Sequence, residues 1–207
     1  MLTTKFHTIY IPLPKHINDE LFTLYKDLSQ KYTNEYLNEK SWKAHITIGV
    51  LPLTDKDTGK FVQIGTKILD TIEKFPVSFS TFELSTDKRY IFLEPDTPSK
   101  EKVMELRKRF EKETKDKFTI EIPGKYKEKW DTYTNEEKEQ LKQTGSPYLF
   151  EPHVSIVKLD PAESEKALME IKDNKILKES FTVDEFHISG QSEDPMNQFP
   201  ILKKILL

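Results

Sequence analysis

The chain contains no cysteine in 207 residues, which removes a disulfide framework, a zinc ribbon and thiol catalysis together. No run of apolar residues approaches the ~20 that a membrane helix needs, and Met1 to His7 lack the long apolar core of a signal peptide. A strong charge of either sign is also missing, since 32 basic and 35 acidic residues leave a net charge of -3. Proteins that coat polyanions are clearly basic, so any contact with nucleic acid is expected to be local. These absences lead us to expect a cytoplasmic monomer with no membrane attachment. The apolar fraction, 36%, is lean, yet a chain of this length buries most of the surface its unfolded form exposes.

What the chain does have is one short pattern written twice. Lys43-Ala44-His45-Ile46-Thr47-Ile48-Gly49-Val50 returns downstream as Glu151-Pro152-His153-Val154-Ser155-Ile156-Val157-Lys158. Each copy reads histidine, apolar, hydroxyl, apolar. On an extended strand this alternation puts His45 and Thr47 on one face and Ile46, Ile48 and Val50 on the other, with His153 and Ser155 paired in the same way. The polar face of each motif carries no Lys or Glu, which suits a cleft better than open solvent.

Chemistry explains why such a face would occur twice. Cleaving a phosphodiester needs one group to take a proton from the attacking oxygen and another to give one to the leaving oxygen. Histidine, with an unperturbed pKa near neutrality, suits both tasks. Thr47 and Ser155 lie two residues on, about 6.5 Å along the same face, where they can donate to the non-bridging phosphate oxygens. Two imidazoles and two hydroxyls around one phosphate make a minimal catalytic set of His45, Thr47, His153 and Ser155.

The pair His45-Ile46-Thr47-Ile48 and His153-Val154-Ser155-Ile156, with Pro152 just ahead of the second histidine, resembles the two-histidine (2H) phosphoesterase superfamily. Its members include the LigT-like "2'-5' RNA ligase" proteins and cyclic phosphodiesterases. The resemblance extends over essentially the whole chain. It implies an enzyme that hydrolyses a nucleotide or RNA phosphodiester without a metal or other cofactor. The substrate would be a 2'-5' linked oligonucleotide, a cyclic nucleotide or cyclic oligonucleotide, or an RNA end carrying a 2',3'-cyclic phosphate. Relatives often carry an arginine shortly after the second motif, where this chain has Lys158, a point charge without the two-donor fork. Three rival classes remain: an RNA- or nucleotide-binding module of the same fold without turnover, a metal hydrolase, and a scavenger of nucleotide signals such as cyclic oligonucleotides or 2'-5' oligoadenylates, which differs only in substrate. The second lacks a carboxylate on the face of either histidine, since Glu151 lies beyond Pro152.

Around the motifs the pattern is α+β. Lys5 to Leu13 predict a strand with Phe6, Thr8 and Tyr10 on one face and His7, Ile9 and Ile11 on the other. Asn18 is placed to cap a helix carrying Leu21, Leu24, Tyr25 and Leu28. After the His45 strand, Phe61, Ile64, Ile68, Leu69 and Ile72 mark a second helix that Pro76 closes. Val77 to Ser85 and Tyr90 to Leu93 predict a hairpin, and residues 100 to 115 a helix with Val103, Leu106 and Phe110 inward. Following the His153 strand, Asp160, Pro161 and Glu163 have the layout of a helix start. Phe181 to Ser189 and Pro200 to Leu207 read as two closing strands. The expectation is one bilobal domain over 1–207, its second half replaying the first. Its two pseudo-symmetric lobes are each an antiparallel sheet with helices outside, around a cleft that holds both histidines.

Residues 123–149 break the regularity and read as an insertion with a short helix near Asn135 to Lys142. Long connections of this kind are often lids or binding loops. Its Lys127, Trp130 and Tyr148 combine cation and flat rings, the types that hold phosphates and stack on bases. Together with Tyr10 and Lys158 they form the expected substrate contacts. His7 and His187 are expected to be packing residues, and His16 an exposed one.

Overall fold

The computed structural model of the protein describes residues 5–32, 43–147, 150–191 and 200–207. Its elements run β1 (Lys5–Pro12), α1 (Lys15–Tyr32), β2 (His45–Leu53), α2 (Thr58–Leu69), β3 (Phe75–Leu84), β4 (Tyr90–Pro95) and α3 (Thr97–Thr114). They continue with α4 (Gly124–Lys127), α5 (Asn135–Thr144), β5 (Val154–Lys158), α6 (Ser164–Ile171), β6 (Ser180–Val183), β7 (Glu185–Gly190) and β8 (Ile201–Leu206).

Two antiparallel four-stranded sheets carry the fold, in the orders β2-β1-β7-β8 and β5-β4-β3-β6. Each histidine motif lies on an edge strand, and the two edges, β2 and β5, touch one another. Helices α2 and α3 cover the outer face of the first sheet, while α1 and α6 cover the second. The inward apolar residues of both histidine strands, Ile46, Ile48, Val154 and Ile156, belong to one continuous core. The expected α+β class and the two lobes are therefore present.

The lobes are not successive halves of the chain. The first sheet takes β7 and β8 from the C-terminal region, and the second takes β3 and β4 from the middle. The run from Phe181 to Ser189, expected as one strand, breaks at Asp184: β6 pairs with β3 in one sheet and β7 with β1 in the other. The Asp184 carbonyl accepts from Leu207 N instead of joining either ladder there (2.8 Å).

Other boundaries shift for identifiable reasons. Helix α1 begins at Lys15, so Asn18 is already inside it. Its side-chain oxygen accepts from Ala44 N (2.8 Å), tying the helix to the residue before His45. Helix α2 ends at Leu69, and Pro76 lies within β3. It is tolerated there because the pairing of β3 with β4 begins only at Phe79. Asp160 accepts from Ala162 N within a turn, and α6 starts later, at Ser164. The insertion does contain its helix: Thr134 and Glu137 form a reciprocal capping box at the start of α5, and Gly145, at φ 74°, ends it.

Both histidine strands carry a β-bulge at the same place. In β2, Gly49 pairs with Ile9 and Thr47 with Tyr10, leaving Ile48 as the extra residue. In β5, Val157 pairs with Ile91 and Ser155 with Phe92, leaving Ile156. An extra residue inverts the alternation beyond it. Val50 therefore turns to the histidine face, against the expected alternation, and Lys158 joins Ser155 on the corresponding face of β5.

The first bulge is held from α3. The buried Arg107 donates to the Ile48 carbonyl (3.3 Å), which the bulge leaves outside the ladder, and its guanidinium also lies 4.7 Å over Phe150, three residues before His153. Gly49 is required beside it, since a Cβ there would stand 2.5 Å from two ring carbons of the buried Phe110. Gly49→Ala is expected to overpack this contact at a cost of about 1–3 kcal/mol. Denaturant unfolding should show a lower midpoint at unchanged m-value; an unaltered midpoint would mean the ring yields freely.

Candidate active site

The same local device sets both histidines. His45 Nδ1 lies 2.9 Å from the Lys43 carbonyl and His153 Nδ1 lies 2.8 Å from the Glu151 carbonyl, each two residues back along its own chain. A carbonyl only accepts, so Nδ1 carries a proton and Nε2 is the nitrogen available for chemistry. Neutral, that nitrogen takes a proton; charged, it gives one. Both rings are partly exposed on the faces that β2 and β5 turn away from the core.

Each imidazole is backed by an aromatic ring from the neighbouring strand. Tyr10 stands directly opposite Thr47 and its ring centre is 4.9 Å from that of His45. Phe92 stands opposite Ser155 and stacks on His153 at 3.9 Å, with 23° between planes. The equivalence follows from the matching sheet orders, β2-β1 answering β5-β4. Histidine, hydroxyl and backing ring thus occur once in each lobe, and the abutting edges bring the two sets together.

Burial pushes the pKa of both histidines below the ordinary imidazole value. For His45 the Lys43 carbonyl opposes that effect and the charge of His153 adds to it. For His153 the Glu151 carbonyl and carboxylate oppose it, while the Lys100 ammonium adds to it. Lys100 is fixed by an ion pair of 2.5 Å with the buried Glu94 carboxylate on β4. The two imidazoles sit within electrostatic reach, and a charge on His153 disfavours one on His45.

The other expected site residues are placed as follows. Tyr10 is buried beside His45, because β1 does adjoin β2. Lys158 is opposite Tyr90 on the face of β5 that carries Ser155, through the bulge described above. Lys127 is exposed at the end of α4, and Trp130 packs within the insertion, its ring under Lys138 Nζ at 5.7 Å. Tyr148 lies outside the described residues. His7 is buried, with Nε2 2.8 Å from Thr58 Oγ1, and His16 is exposed, both as expected.

His187 is a packing residue, as expected, with its ring edge-on to Tyr10. It is buried, but opposite Tyr10 on the same face as the site, and its Nδ1 meets the Tyr10 hydroxyl at 3.2 Å. The signal was present in the sequence: Glu185, His187 and Ser189 alternate with Phe186, Ile188 and Gly190, which marks a polar face. Phe92, missed in the sequence, sits in a strand whose alternation of Tyr90, Phe92 and Glu94 marks the cleft face in the same way. Among the described residues, no group of three or more His, Asp or Glu is arranged to hold a metal ion, and no helix is long and apolar enough to cross a membrane.

Comparison with known proteins agrees with this geometry. The chain matches the family described as the 2'-5' RNA ligase superfamily over residues 26–195, which contain both histidine motifs. No functionally curated protein matches it. Among solved structures, Escherichia coli LigT in apo form superposes with a TM-score of 0.60 at 12% identity, covering 99% of this chain and 98% of that one. A second, TT0787 of Thermus thermophilus, gives 0.61 at 11% identity over 98% and 97% of the two chains. Kluyveromyces marxianus Usb1 gives 0.51 at 12% identity over 99% and 98%. Escherichia coli LigT has also been solved with phosphate, with 3'-AMP, with ATP and with NADP+. Such low identities carry the fold alone, and the family match carries the membership: this chain belongs to the 2'-5' RNA ligase superfamily, among the LigT-like two-histidine phosphoesterases.

Proposed function

We propose that this protein is a metal-independent phosphodiesterase that hydrolyses a nucleotide or RNA phosphodiester by two-histidine acid-base catalysis. The observation that carries the proposal is the duplicated geometry: two imidazoles on abutting edge strands, each with Nδ1 committed to a carbonyl and Nε2 left for proton transfer. One Nε2 accepts the proton of the attacking hydroxyl or water, and the other delivers a proton to the leaving oxygen. Thr47 and Ser155 donate to the non-bridging oxygens and stabilise charge that grows there. Lys158, brought to the Ser155 face by the bulge, adds a positive charge on the same side as the phosphate. Tyr10 walls the site beside His45. Lys127, Trp130 and Tyr148 are the insertion's contribution to substrate contact.

The relatives' bound molecules point to the same substrate class. LigT of Escherichia coli holds phosphate and 3'-AMP, and a site built from two histidines and two hydroxyls suits a phosphate ester with a nucleoside attached. The test is a panel of 2'-5' and 3'-5' linked oligonucleotides, linear and cyclic, together with 2',3'-cyclic nucleotides, all in excess EDTA. Turnover of at least one class in chelator is the expected result, and Trp130→Ala should raise KM for that substrate more than it lowers kcat. Activity that vanishes with chelator and returns with a divalent ion would overturn the mechanism.

A further inference from the structure

Beyond the two histidine motifs, the first sheet carries three polar side chains that converge behind His45. Tyr10, on β1, stands between Thr47 on β2 and His187 on β7, so the polar face runs Thr47, Tyr10, His187 across three strands. The Tyr10 ring lies against His45 at 4.9 Å and 55°, and against His187 edge-on at 5.3 Å and 77°. Its hydroxyl is 3.2 Å from His187 Nδ1, and His187 Nε2 is 3.2 Å from Glu185 Oε1. Both Tyr10 and His187 are buried, so neither polar group has ready access to bulk water.

The proton positions follow from these contacts. Burial and the Glu185 charge push the Tyr10 phenol up to about 12, so it stays protonated and is the donor. His187 Nδ1 is then the acceptor, and its proton sits on Nε2, 3.2 Å from Glu185 Oε1 but not aligned for a hydrogen bond, so Glu185 acts on the ring by its charge. Burial opposes a charge on His187 most strongly, Glu185 favours one, and Lys204, opposite on β8, and Lys43, just ahead of β2, oppose it, with a net shift below the ordinary imidazole value. The neutral tautomer that accepts from tyrosine is therefore the one the surroundings favour.

The second lobe shows what this arrangement is for. There the ring behind the histidine is Phe92, which has no hydroxyl and lies close and nearly parallel to His153 at 3.9 Å. It also stacks on Tyr90 at 6.1 Å. Tyr10 is farther from its histidine and steeply tilted. Opposite Phe92 on β3 stands Glu83, which has nothing on that ring to accept from. Only the lobe with the tilted ring pairs a ring hydroxyl with an acceptor.

We infer that Glu185 and His187 are positioning residues that pin the Tyr10 hydroxyl and so hold its ring as a water-excluding wall against His45. The assignment rests on His45 being a working acid or base, and it concerns how that group's proton affinity is set. With the wall in place His45 is desolvated and its neutral form favoured; if Tyr10 swings away, water reaches the imidazole and its pKa climbs back toward the ordinary value.

The experiment is an NMR titration of the His45 imidazole in the full-length protein, which needs no substrate and reads the brace even if the catalytic proposal fails. His187→Leu fills the space without an acceptor and is expected to raise the His45 pKa by about half a unit or more, as relieved burial does. His187→Asn, whose carboxamide oxygen can take the place of Nδ1, is expected to keep the wild-type value. An unmoved pKa in His187→Leu overturns the inference, and so does an equal shift in both variants, which would make the imidazole ring itself the packing element. Should His187→Leu fail to fold, Tyr10→Phe breaks the same hydrogen bond from the other side. It must shift His45 in the same upward direction, and a wild-type titration in that variant also overturns the brace.

Discussion

Alanine at His45 or at His153 is expected to lower kcat/KM by about a hundredfold or more, the usual contribution of a positioned general acid or base. Each histidine owns a different proton transfer, so neither can be spared while the other remains. The two act on one phosphate in one transition state, and the double variant should therefore be little worse than the poorer single one. Both rings sit on the cleft faces, while the core takes Ile46, Ile48, Val154 and Ile156 from the same strands. Truncation at the histidines thus opens no core void, and thermal unfolding should stay close to wild type. Steady-state kinetics beside a melting curve separates the two effects. A single variant that keeps a rate within about tenfold of wild type would remove that histidine from the chemistry.

The histidine-hydroxyl pattern was legible because it obeys a period of two where it matters. His45 with Thr47, and His153 with Ser155, lie ahead of the bulges, so alternation put each pair on one face correctly. Beyond the hydroxyls the same rule fails, and Val50 and Lys158 lie where an unbroken strand would not place them. Gly49 within a strand pattern and the consecutive apolar pair Ile156-Val157 were the available signs of an extra residue. The paired placement on abutting edges was not legible, since it depends on which strands share a sheet. The apolar alternation slips from Phe181 and Val183 to Phe186 and Ile188 at Asp184, which marks a break, but which sheet each part joins is not local. For the same reason Tyr10 could be placed on a face but not beside His187, 177 residues away. The buried Arg107 defeats residue-type expectations altogether: α3 presents it inward because the bulge carbonyl of Ile48 needs a donor.

The pH dependence carries the second large effect. In the free protein both histidines titrate below 6.5, chiefly because burial disfavours the charged imidazolium. The productive state holds one proton between the two. Below the lower apparent pKa the base is lost to protonation, and above the higher one the acid is lost to deprotonation. Both limits lie on the acid side of the ordinary imidazole value, so kcat/KM for a substrate of constant charge should peak below about pH 6.5 and fall about tenfold per unit on the alkaline side. A bound phosphodiester brings a negative charge beside both rings and favours the imidazolium, which moves the corresponding optimum in kcat upward. The limbs belong to the pair and not to His45 or His153 alone.

The most direct test of the two-histidine claim is the profile of kcat/KM from about pH 5 to 9, a span chosen to bracket histidine's range, measured on the wild-type protein in EDTA. The expected result is a maximum on the acid side of that range followed by a decline through neutrality, because the general acid must still hold its proton. A rate that climbs steadily across the whole span would leave no role for a protonated histidine and would contradict the mechanism.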